Sequence, residues 1–236
     1  MIEVLLILSF LFLIYAFFYK QTTNEYTITQ ITFINMGKLQ ELLYDKIPVV
    51  VKDAPVPQCI QPNTLLGTPR FSTILGNYLT QKEVNIPNSP EFENYIANET
   101  GFQVFNEHYW HSYFYTNVVS QYISKLKSKI CFGSRPLNST SAIYTIIMPV
   151  VGTYVCSLIN NEFTKELPQP SSQVKSIEEL NKNIQYIDVI LKPNTILILP
   201  PHWNYIMNEK DPYSYYGIIE YHEPISLLMD YLTKKQ

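Results

Sequence analysis

The chain reads as mainly β with flanking helices, an α+β domain of the antiparallel sandwich or barrel kind preceded by one N-terminal transmembrane helix. Three observations carry that reading: a series of short strand-like runs over 186–222, a composition rich in aromatics, and an uncharged apolar stretch over residues 4–19. The 19 Tyr and 12 Phe suit pleated, half-buried surfaces, while only 7 Gly in 236 residues argue against disorder. A chain of this length builds one substantial core rather than two. The expected division is an anchor over 1–20, a polar linker over 21–25, and one domain over 26–236 with a helical insertion at about 60–127.

Residues 186–191 and 195–199 are β-branched and aliphatic runs separated by Lys192-Pro193-Asn194. Pro fixes φ and Asn tolerates a left-handed turn, so the spacing predicts a hairpin. Pro200-Pro201 ends the second run, because residues without a backbone N–H cannot continue a ladder. A short apolar segment over 203–207, a turn over 208–212 and a strand over 213–221 follow. None of these runs is long enough for a helix, which favours antiparallel all-β structure.

The stretch over 4–19 carries no charge and, with Ile2, makes a helix roughly 27 Å long, enough for a thin bilayer. It runs into bulky Phe17-Phe18-Tyr19 rather than the small residues of a signal cleavage site, so an uncleaved single-pass anchor over residues 2–19 is expected. Tyr15 and Tyr19 suit the interface, and Lys20 places the main domain on the cytoplasmic side. The sequons at Asn98 and Asn138 would favour the opposite side if used. Removal of residues 2–20 is expected to leave a soluble, β-rich domain.

Further along, strands are expected over 26–34 and 47–52, with a short amphipathic helix over 38–44 between them. Residues 55–125 are Pro-rich at first and then helical in character. Strands return over 130–132, 142–148 and 153–159, the last two joined by a turn at Pro149-Val150-Val151-Gly152. Ser176 is a plausible N-cap for a brief helix. A net charge of −3 and a pI near 5.8 leave no electrostatic footprint for nucleic acid. Lys125, Lys127, Lys129 and Arg135 form a basic cluster that reads as a solvated face. Cys59, Cys131 and Cys156 are an odd number without a zinc spacing, so neither a disulfide framework nor a zinc site is expected. His108 and His111, one helical turn apart, are either a metal pair or part of an aromatic face packed on the sheet. No G-x-S-x-G motif, phosphate-cradling Gly loop or Cys with a placed His is present.

The order of strand, Lys-Pro turn, strand ending in Pro-Pro, then Trp and a Ser/Tyr strand resembles the last third of JmjC domains. These are cupin-like hydroxylases and demethylases built on a double-stranded β-helix, or jelly roll. The run Ile47-Pro48-Val49-Val50-Val51 resembles an early strand of the same family, so the likeness covers 47–51 and 130–223. In that family Trp-Trp-His follows the Pro-Pro corner and its His ligates iron; here Trp203-Asn204-Tyr205 stands instead. Counting back from Gly152 puts Ser139 and Ser141 at the family's H-x-D pair, and Tyr154 where a Lys grips 2-oxoglutarate. An iron oxygenase needs two imidazoles and a carboxylate on one face of the metal.

The resemblance therefore implies a pocket emptied of metal and cosubstrate, with Ser139, Ser141, Tyr154, Trp203 and Tyr205 at the degenerate positions. It implies no cofactor and a non-catalytic, membrane-anchored binding or structural protein with a protein partner. The alternative is an Fe(II)- and 2-oxoglutarate-dependent dioxygenase with displaced ligands, drawn from His202 or His222 with Asp188 or Glu220. Alternation places Tyr205 with Trp203 and Met207 inside the barrel, where the hydroxyl of Ser139 or Ser141 or a trapped water is expected to meet its phenol. Degenerate anchored members of this kind are similar to those of large double-stranded DNA viruses. The bias toward Ile, Asn, Lys and Tyr fits such a source and a viral or virion membrane.

Overall fold

The computed structural model of the chain describes residues 2–23, 26–33, 39–67, 72, 76, 89–110, 122–164, 166–168, 174–181 and 183–233. Helix α1 (Ile2–Lys20) is apolar on every side and is long and apolar enough to cross a membrane. Strand β1 (Thr29–Thr32), helix α2 (Leu39–Tyr44) and strand β2 (Val49–Lys52) follow, the two strands starting later than the sequence pattern suggests, and Ile34 and Lys38 lie outside the described residues. The insertion contributes α3 (Pro62–Gly67), α4 (Pro90–Glu99) and α5 (Phe102–Tyr109). At the start of α4, Ser89 accepts the Phe92 N–H at 3.2 Å, Pro90 needs no partner, and Glu91 and Glu93 face the positive end of the helix.

Eight strands follow: β3 (Lys125–Phe132), β4 (Arg135–Ser139), β5 (Tyr144–Val151), β6 (Tyr154–Ile159), β7 (Ile187–Leu191), β8 (Thr195–Leu199), β9 (Asn204–Glu209) and β10 (Tyr215–His222). They lie in two sheets, ordered β1-β2-β8-β5-β10-β3 and β4-β9-β6-β7. Apart from the parallel β1–β2 pair, the neighbours are antiparallel. Of the consecutive strands from β3 on, only β6 and β7 pair with each other; each other step crosses to the opposite sheet. This interlocked order is that of a jelly roll.

The predicted hairpin over 186–199 is thus not one: β7 pairs with β6, and β8 pairs with β2 and β5. Asn194 does take the left-handed conformation, at φ 67, but the turn it makes carries the chain between sheets. The expected turn at 149–152 shrinks as well, because β5 continues to Val151 and only Gly152, at φ 80, and Thr153 separate it from β6. A Cβ on Gly152 would lie 2.7 Å from the Ser214 Cβ, so both φ and space require glycine. Strand β3 starts at Lys125, inside the range assigned to the insertion, and β4 and the C-terminal helix α6 (Pro224–Thr233) were not expected.

The first sheet is buried on both faces. One face meets the insertion helices through Ile130, Ile146, Ile198 and Ile219, against Ile96, Phe102 and Leu65. The other meets the second sheet, where Ile147, Leu197, Leu199 and Ile218 pack with Cys156, Leu158 and Leu191. Two-sided burial explains why β5 and β8 read as nearly unbroken apolar runs rather than alternating ones.

Candidate functional site

Pro200 and Pro201 end β8, and the corner that follows fixes the phase of β9. His202 sits at φ 69, a conformation that a non-glycine residue adopts only when its surroundings impose it. Here Thr140 imposes it. Its hydroxyl donates to the Pro200 carbonyl at 2.8 Å and accepts the Trp203 N–H at 3.0 Å, while its own carbonyl accepts the His202 N–H at 2.8 Å. Trp203, Tyr205 and Met207 then turn into the space between the sheets with Tyr154 and Tyr216. Asn204 and Ile206 face outward, the former donating to Thr164 Oγ1 at 3.0 Å and the latter packing on Leu137 and Ile159.

Tyr205 is buried, and its hydroxyl accepts from Asn138 Nδ2 at 3.3 Å. The partner expected at Ser139 or Ser141 is therefore Asn138, which stands directly opposite Tyr205 in the ladder. Ser139 is exposed on the outer side of β4, and Ser141 is half-buried beyond the strand, where its carbonyl accepts the Tyr19 hydroxyl at 2.5 Å. Ser139 thus stands one residue out of phase with the inward face of β4, since neighbouring residues of a strand point to opposite sides. The inward residues at this end of β4 are Asn138 and Thr140, a neutral amide and a hydroxyl already engaged at the corner. Tyr154 is buried edge-on against Tyr216 at 4.9 Å between ring centroids, and Trp203 is buried beside them.

Of the imidazoles and carboxylates considered as displaced ligands, His222 and Glu220 lie side by side, while His202 and Asp188 engage other partners. His202 packs edge-on against Tyr19, with ring centroids 4.8 Å apart, and its Nε2 lies 3.2 Å from the Tyr19 carbonyl. Since a carbonyl only accepts, that nitrogen carries the proton. His222 is buried with Nδ1 3.3 Å from Ser226 Oγ, and its Nε2 lies 3.7 Å from Glu220. Glu220 accepts from Lys129 at 2.6 Å; burial opposes its charge, yet His222 and Lys129 hold the carboxyl well below the usual range. Asp188 accepts from Ser157 on the outer face at 2.5 Å. His108 is exposed on α5, and His111 lies outside the described residues. Among the described residues, no three His, Cys, Asp or Glu side chains form a group able to hold a metal ion.

A polar cluster that the sequence reading missed sits at the other end of β4. The Arg135 guanidinium donates to Cys131 Sγ at 2.9 Å and to Glu93 of α4 at 3.2 Å. Burial pushes the Cys131 thiol far up, so it is protonated here. Arg135 and Cys131 line a cleft of about 490 Å³, with Glu93, Tyr216, Phe132 and Lys175 among the other walls. The basic cluster read as a solvated face is thus partly an internal one, since Lys129 and Arg135 are both largely buried in ion pairs. A signal was available: Arg135 is one of only two arginines, the residue best suited to buried pairing, and it lies four residues beyond an inward-facing Cys.

Taken with the packing between its sheets, the interlocked strand order makes this a protein of the jelly-roll class. No family profile and no curated protein matches the sequence. Among solved structures the chain is similar to hydroquinone 1,2-dioxygenase from Sphingomonas sp. TTNP3 with 4-hydroxybenzoate bound, at 12% identity and a TM-score of 0.31, over 43% of this chain and 60% of that one. It is also similar to RmlC from Streptococcus suis in complex with dTDP-D-xylose, at 9% identity and a TM-score of 0.27, over 40% of this chain and 43% of that one. The chain spans less than two thirds of the length of either. At such scores the likeness says nothing of activity, and the class rests on the strand order itself.

Proposed function

We propose that the chain is a non-catalytic binding or structural protein with a JmjC-type double-stranded β-helix domain, held on a membrane by α1. Its positions for iron and 2-oxoglutarate are lost. One observation supports this reading: Tyr205, where the resemblance puts a metal ligand, faces Asn138 and Thr140 rather than Ser139 or Ser141, and all three side chains are neutral and already hydrogen-bonded. Such a set does not fit Fe(II), which needs imidazoles and a carboxylate. Tyr205 is a poor substitute, because burial pushes its phenol further above its ordinary range and keeps it protonated. Lys20 at the end of α1 favours a cytoplasmic domain, and the composition favours a viral or virion membrane, with a second protein as the partner.

The test is iron content and 2-oxoglutarate turnover of the purified full chain. Neither is expected above background. Stoichiometric iron that disappears in His202→Ala or His222→Ala would overturn the reading and return the chain to the dioxygenases.

A further inference from the structure

The cleft at the start of β4 lies away from the Pro-Pro corner, which sits at the strand's other end, so it stands apart from the question of metal. We propose that it binds a small organic monocarboxylate, with the apolar body against Phe132 and Pro136 and the carboxylate meeting Arg135, Lys175 and the Tyr216 hydroxyl.

The Tyr216 hydroxyl is the first support. Its side chain is fully buried, it lines the cleft, and among the described residues its oxygen has no hydrogen-bond partner. A buried phenol O–H calls for an acceptor. The nearby carboxylate of Glu93 is instead held by Arg135. Arg135 is the second support. Its guanidinium has five N–H donors in a rigid fork, and the bonds to Cys131 and Glu93 leave others over while fixing its plane.

Charge and size complete the case. Arg135 and Lys175 against Glu93 give the cleft one surplus positive charge, which a single carboxylate neutralises. A dianion would leave one negative charge uncompensated beside the buried Glu93 carboxylate, and this favours a monocarboxylate over a phosphate. The volume of about 490 Å³ holds a small molecule rather than a peptide.

The experiment titrates the full chain in detergent with acetate, benzoate, hexanoate and inorganic phosphate, read by calorimetry and by thermal shift. Saturable binding of benzoate or hexanoate, tighter than acetate and phosphate, is expected. Tyr216→Phe should weaken it about tenfold or more, through loss of a hydrogen bond to a charged group. The same substitution should leave the unliganded protein at least as stable, which separates a ligand donor from a folding contact. Lys175→Gln, on the exposed rim, should weaken binding and reduce its salt dependence. These two variants avoid breaking the Arg135–Glu93 pair. If none of the three carboxylates saturates, if phosphate binds as tightly as benzoate, or if Tyr216→Phe binds like the wild type, the proposal falls.

Discussion

Tyr205 and Asn138 meet across the β4–β9 ladder, and each has a consequence that can be measured. Tyr205→Phe removes the acceptor for the Asn138 amide at a part-buried site and should cost about 0.5–1.5 kcal/mol, seen as a lower urea midpoint at unchanged slope. A larger loss would mean that the phenol has a further role. Tyr205→His should not restore iron binding, since an imidazole there would face only an amide and a hydroxyl. Asn138 also belongs to a sequon, yet its Nδ2, the atom a glycan would use, donates to Tyr205. Of the two sequons, Asn98 is exposed on α4 and is the one open to modification. Tyr205's inward facing could be read from alternation with Trp203 and Met207, because period two is local. The identity of its partner could not, because cross-strand register depends on the bulge between Arg135 and Asn138.

The strands were legible in the same way and for the same reason: 187–191, 195–199 and 215–222 are β-branched or aromatic runs bounded by Pro, Asn and Asp. What a run does not carry is the sheet it joins, so two adjacent strands joined by Lys192-Pro193-Asn194 looked like a hairpin and lie in different sheets. The C-terminal helix had a readable start, Pro224 at its first position, which the β-rich context masked. The junction of α1 with the corner shows how elements are coupled. Tyr19 is buried there against His202, while Lys46 donates to the Phe18 and Gln21 carbonyls, the latter at 2.5 Å. Burial lowers the His202 pKa; the Tyr19 carbonyl opposes that shift, and Lys46 and Lys20 add to it. A histidine near 6.5 when unfolded and lower when folded binds more protons in the unfolded state, so stability falls as pH drops below about 6.5. Between pH 7.5 and 5.5 the wild type should therefore lose more stability than His202→Asn. Equal losses in urea titrations at the two pH values would show that His202 is not the sensor.

At the scale of the molecule, the class of fold was legible because the Pro-Pro corner and its flanking strands are local features, whereas the Arg135 cleft was not, because Glu93 and Arg135 are 42 residues apart and only tertiary packing joins them. The same distinction bears on the anchor. Apolar length alone assigns all of α1 to the bilayer, but its last turns belong to the domain: Tyr15 donates to Glu223, and Tyr19 donates to the Ser141 carbonyl. If α1 is the anchor proposed above, residues 2–14 are left for the membrane, roughly 20 Å of helix against a hydrocarbon core of about 30 Å. With α1 as the proposed anchor, that mismatch would draw the domain tightly onto the bilayer surface, with α6, which packs on α1 and exposes Leu228 and Tyr231, beside it. Deleting residues 2–14 should turn a carbonate-resistant protein into a soluble one of unchanged stability. Deleting 2–20 should also solubilise it, but at roughly 2–5 kcal/mol, because it empties the Tyr19 site beside His202. The sequence alone led to the expectation of a soluble domain with unchanged β-rich structure after that loss, and the two deletions compared by urea denaturation show whether its stability is unchanged as well. Equal stability would mean that the Tyr19 contact contributes nothing, and a full-length chain released by carbonate would mean that α1 is not an anchor.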